Sequence, residues 1–66
     1  MQVTVNGTHT QIDAALTVAA LLAARGETAR RVAVALNGEV VPRSLWETTG
    51  LTDGDSLEVL AATAGG

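Results

Sequence analysis

The sequence predicts an α+β domain, a mixed sheet of about five strands with one main helix packed on one face. Three observations carry that expectation. Asn6-Gly7 and Asn37-Gly38 each stand between short apolar runs, and Asn-Gly in that setting is the strongest short-range hairpin signal. Residues 17–25 repeat their large apolar side chains at helical spacing. Residues 56–62 alternate again, forming a final strand that runs directly into the last four residues.

Taken in order, residues 2–5 alternate polar and apolar, with Val3 and Val5 on one face. After the first Asn-Gly turn, residues 8–12 form the returning strand, with Ile12 toward the core, and residues 13–16 are a connection. Thr17 is a helix N-cap, because its hydroxyl can accept from one of the first unpaired helical N–H groups. Val18, Leu21 and Leu22 then fall on one stripe, and Ala19, Ala20, Ala23 and Ala24 fill the helix at little entropic cost. Gly26 stands where a helix-terminating glycine belongs, just after Arg25, whose charge suits a helix C-terminus. Residues 27–31 read as a polar loop. Val32, Val34 and Leu36 alternate with Ala33 and Ala35, giving a strand with a large and a small face. The second Asn-Gly turn leads into residues 39–41, and Pro42, lacking a donor, ends that strand. Ser44 is expected to cap a short helical turn through Leu45, Trp46 and Glu47. Asp53-Gly54-Asp55 is a tight turn, and Leu57, Val59 and Ala61 of the final strand point inward. If that strand lies beside the first, two hairpins flank a central pair of strands, which is the β-grasp, or ubiquitin-like, arrangement.

Sixty-six residues make one domain at most. A chain this short buries only about 60% of its unfolded surface, so its core is small. It has no cysteine, so neither a disulfide nor a thiolate metal site supports that core. The formal net charge is −3, and the four arginines come with no lysine. Arg30-Arg31 is the sole basic pair, too little for phosphate-backbone binding, so nucleic acid is not an expected partner. No stretch approaches the ~20 apolar residues of a membrane span, and the expected residence is the cytoplasm.

Catalytic groupings are missing. The single histidine, His9, stands near a hairpin turn and reads as a surface residue. Glu39, Glu47 and Glu58 lie on different elements, with no acid/base pair among them. Two carboxylates at 53 and 55 are too few for calcium, and there is no phosphate-cradling motif, so no metal and no cofactor is expected on this chain. Trp46, the sole aromatic, is expected as a lid over the end of the core with its indole N–H at the surface. Glu58, Leu60 and Ala62 point away from the helix, as do Ala33 and Ala35, making a small flat patch proposed for partner docking.

The chain ends in Gly65-Gly66 behind Ala64, with no charged side chain after Glu58. Residues 1–62 are therefore read as the folded domain and 63–66 as a tail. Without a Cβ, a diglycine passes slots too narrow for other residues. Residues 63–66, if extended, reach roughly 13 Å at about 3.3 Å per residue.

The run Val34-Ala35-Leu36-Asn37-Gly38-Glu39-Val40-Val41-Pro42-Arg43-Ser44, then Trp46, Asp53-Gly54-Asp55 and the terminal Gly65-Gly66 resembles the ThiS sulfur-carrier family of thiamine biosynthesis. Val5-Asn6-Gly7, Thr17-Val18 and Leu21-Leu22 fit as well. The resemblance implies a β-grasp fold and chemistry centred on Gly66, with Gly65 and Ala64 threading into a partner. It implies that the chain is a protein co-substrate and not an enzyme. A ThiF-like activating enzyme would spend ATP to adenylate the Gly66 carboxylate. A persulfide donor would convert it to a thiocarboxylate, and a ThiG-like thiazole synthase would take the sulfur. The small subunit of molybdopterin synthase, a ubiquitin-like protein modifier and a plain binding module remain alternatives.

Overall fold

A computed structural model describes residues 1–13, 16–26 and 32–61. Its elements are β1 (Gln2–Val5), β2 (Thr8–Gln11), α1 (Val18–Ala24), β3 (Val32–Leu36), β4 (Glu39–Val41), a 3₁₀ turn (Arg43–Leu45) and β5 (Ser56–Ala61). The strands form one sheet in the order β2-β1-β5-β3-β4. Strand β5 is thus central, parallel to β1 and antiparallel to β3, while each hairpin supplies one flank. This is the β-grasp arrangement expected from the order of elements.

Both hairpins close through left-handed backbone at their Asn-Gly pairs, Asn6 at φ 52° and Gly7 at 81°, Asn37 at 51° and Gly38 at 86°. Two consecutive positive φ angles define the turn whose twist matches that of paired strands, and Asn and Gly tolerate them best.

Helix α1 owes its start to three separate acceptors. The Thr17 hydroxyl accepts from Ala20 N–H at 3.1 Å, as its N-cap role requires. Val18 N–H donates to the Thr49 carbonyl and Ala19 N–H to the Trp46 carbonyl, both at 3.0 Å. The first N–H groups of a helix have no partner within it, so the segment following β4 completes the cap. Val18, Leu21 and Leu22 are buried against Val3, Val5, Val34, Leu57 and Val59 of the sheet. Each such side chain contributes about 1.5–3 kcal/mol relative to exposure.

Two expectations are corrected in the segment after β4. The 3₁₀ turn begins at Arg43, with Pro42 at its N-cap position and no side-chain cap, so Ser44 does not cap it. The φ of −59° that proline's ring holds at Pro42 starts the turn two residues earlier than a cap at Ser44 would. Trp46 is only 5% exposed, and its indole N–H, rather than lying at the surface, donates to the Val41 carbonyl at 2.8 Å. A buried indole needs such a partner, and the end of β4 supplies it. Leu51, not singled out from the sequence, joins the core beside it.

Candidate functional site

Strand β5 carries the segment of interest, and its register fixes what it presents. Leu57 and Val59 face the helix and are buried, while Glu58 and Leu60 face outward and are exposed. Ala33 lies opposite Leu60, and Ala35 lies opposite Glu58 on one side and Val40 on the other. The outer face of the sheet therefore brings together Glu58, Leu60, Ala33 and Ala35, as alternation along the two strands predicts. It adds Val40, which sequence reasoning missed. At 77% exposed, Val40 is more open than Leu60 at 67%. The signal was present, because a two-residue turn at Asn37-Gly38 forces Val40 opposite Ala35.

Of the other predicted site residues, Ala62, Ala64, Gly65 and Gly66 lie outside the described residues, as do the proposed loop 27–31 and Ala14-Ala15. The last described residue of β5, Ala61, pairs with Val32 of β3.

The backbone of β5 is braced at its start and at Val59 by side chains from the two hairpin turns. Near its start, Asn37 Oδ1 accepts from Ser56 N–H at 3.0 Å while Asn37 Nδ2 donates to Asp55 at 3.1 Å. Asp55 also accepts from Thr52 N–H at 2.8 Å. The Thr52 hydrogen bond, with help from the Asn37 amide and against some desolvation, holds the Asp55 carboxyl below the usual carboxylate range. Farther along, Asn6 Oδ1 accepts from Val59 N–H at 2.7 Å and Asn6 Nδ2 donates to the Val59 carbonyl at 3.1 Å.

Elsewhere among the described residues the surface offers little chemistry. A groove of about 440 Å³ between α1 and the 43–47 segment is lined by Ala19, Leu22, Ala23, Arg43, Ser44, Trp46 and Glu47, with no strong nucleophile or imidazole. Among the described residues, no cluster of three or more His, Asp or Glu could hold a metal ion. No helix among them is long and apolar enough to cross a membrane.

The sequence model of the ThiS family matches residues 3–66. The chain belongs to the ThiS family. Its fold is that of other ThiS structures. The crystal structure of a thiamine biosynthesis protein (ThiS) from Geobacter metallireducens superposes with a TM-score of 0.85 at 40% identity, covering 100% of both chains. An NMR solution structure of a thiamine biosynthesis protein from the same organism gives 0.82 at 39% identity, covering 100% of this chain and 88% of that one. A curated relative, a thiazole synthase from Paramagnetospirillum magneticum, is 41% identical over 66 residues. The ThiS-like chain spans 20% of the length of that relative.

Proposed function

We propose that the chain is a sulfur carrier for thiazole formation, with the Gly66 carboxylate as the group that is activated. The observation that carries this reading is the match to the ThiS family through Gly66, on a fold whose central strand leads toward that terminus. An activating partner would hold ATP, and a Gly66 carboxylate oxygen would attack its α-phosphorus as the bond to pyrophosphate breaks. The terminal sulfur of a donor persulfide then attacks the acyl carbon, and AMP leaves. A second thiol cleaves the resulting acyl disulfide, releasing the thiocarboxylate and leaving a disulfide between itself and the donor. Gly65 and Ala64 suit this sequence because small side chains can enter a narrow channel to the nucleotide. The full-length match to part of a thiazole synthase supports thiazole synthase as the sulfur acceptor. The domain itself acts as a co-substrate, resident in the cytoplasm with its partners.

Intact-mass measurement after incubation with an activating enzyme, ATP and a sulfur source tests the proposal. The expected product has one oxygen replaced by sulfur. An unchanged mass, or a lysine-linked adduct in its place, would overturn it.

Docking is assigned to the outer sheet face, where Leu60, Val40, Ala33, Ala35 and Glu58 meet and Ala62 follows in the chain. Leu60→Glu is expected to weaken binding to the activating enzyme by at least tenfold, about 1.4 kcal/mol, as truncation of a central apolar contact does. Its melting temperature should stay near that of the parent, since Leu60 is exposed. Calorimetric titration alongside thermal melts reads both, and unaltered binding would move the docking site elsewhere.

A further inference from the structure

We infer that Asn6 is a positioning residue for the C-terminal segment, acting through Val59; the inference rests on Gly66 being the group that is adenylated. Strand β1 ends at Val5, opposite Leu57, and Asn6 N–H still donates to the Leu57 carbonyl at 2.9 Å. There the backbone turns away, with Asn6 and Gly7 both in left-handed conformations. The Asn6 side chain continues where the backbone leaves. Its amide offers one acceptor and one donor to the N–H and carbonyl of Val59, two groups that a continuing β1 backbone would otherwise have paired. Two described residues of β5, Leu60 and Ala61, follow. On its other side that stretch pairs with Ala33 and Val32 of β3. One side chain therefore replaces a missing strand at the point where the chain heads for its reactive end. Removing it leaves Leu60 and Ala61 paired on one flank only, so the direction in which β5 hands on the chain toward Gly66 is less firmly set. Misplacement of a reacting atom by about 1 Å can cost on the order of 10²-fold in rate.

The second Asn-Gly turn supplies a matched control. Asn37 makes the same kind of turn and also gives two side-chain hydrogen bonds, but to Ser56 and Asp55 at the start of β5. Glycine keeps either turn, since Gly-Gly accepts the same φ angles. Asn6→Gly and Asn37→Gly should then lower the melting temperature to similar extents. ATP–pyrophosphate exchange by the activating enzyme, at a temperature where circular dichroism shows both folded, separates them. Asn6→Gly is expected to lose roughly 10- to 100-fold in kcat with KM for the carrier unchanged. Asn37→Gly should keep both constants. Amide exchange at Val59 should accelerate in the first variant and not in the second. Asn6→Asp, which keeps the acceptor for Val59 N–H and loses the donor, should fall between, and it replaces Asn6→Gly if that variant fails to fold. Equal kcat for the Asn6 and Asn37 variants would overturn the positioning role while leaving Gly66 chemistry intact. No exchange with the parent chain would overturn the adenylation reading, and the role of Asn6 with it.

Discussion

One residue added after Gly66 is expected to abolish thiocarboxylate formation and leave the melting temperature unchanged. The added peptide bond converts the terminal carboxylate into an amide carbonyl. That oxygen carries no charge and is a poor nucleophile toward the α-phosphate. The fold should not respond, because among the described residues the buried core runs from Val3 to Val59, and chain ends tolerate additions. Docking should persist, so the extended chain should compete with the parent for the activating enzyme. A protease that restores the Gly66 terminus should restore the reaction. Intact mass reports each stage, and sulfur transfer by a verified uncleaved chain would refute the carrier mechanism. Gly66→Val should approach the same outcome by crowding the acyl carbon, with the carboxylate still present.

Leu57→Ala is expected to be the most damaging single truncation of the core. Leu57 is fully buried in the central strand, and it pairs with Val5 on one side and Leu36 on the other. Leucine-to-alanine changes at such sites cost about 2.7–5 kcal/mol. A domain of this size has a total stability of roughly 3–10 kcal/mol at 0.05–0.15 kcal/mol per residue. A large share of the molecules would therefore unfold at ordinary temperatures. Denaturant titration should show a greatly lowered midpoint. Leu60→Ala, three residues along the same strand but outward, should move the midpoint little. Similar losses from both would mean that the two faces carry equal packing.

The parts of this fold that were legible in the sequence are those set by local rules. The Asn-Gly pairs fixed two turns and, through them, the pairing of each hairpin, because their left-handed angles admit few other residues. Thr17 and Gly26 bounded α1 by the same kind of local chemistry, the glycine at φ 76°. The outward run of Glu58 and Leu60 followed from alternation. The stretch from Pro42 to Leu51 was less legible because no period governs it. Its conformation answers to distant partners: Trp46 to the carbonyl of Val41, and the carbonyls of Trp46 and Thr49 to the start of α1. The bracing of Val59 by Asn6 spans 53 positions, and it exists because β1 and β5 are neighbours. No spacing along the chain encodes that.

The parallel pairing of β1 with β5 also decides how the molecule can be attached to anything else. Met1 lies beside Ile12, and Gln2 is tied to Asp53 and Gly54, so the chain enters the sheet at that pole. Strand β5 runs the same way and leaves at the opposite pole, beside Asn6 and Val32. Its six residues put roughly 20 Å between the two ends, at about 3.3 Å per residue. A fluorophore, an affinity handle or a sensor surface coupled through Met1 would thus stand at the pole opposite Leu60 and Ala61, the last described residues of β5. A circular permutant that joined Met1 to Ala61 would require a linker spanning the length of β5. The same polarity lets a bulky neighbour be carried at Met1 without approaching Ala61 at the far pole of the sheet.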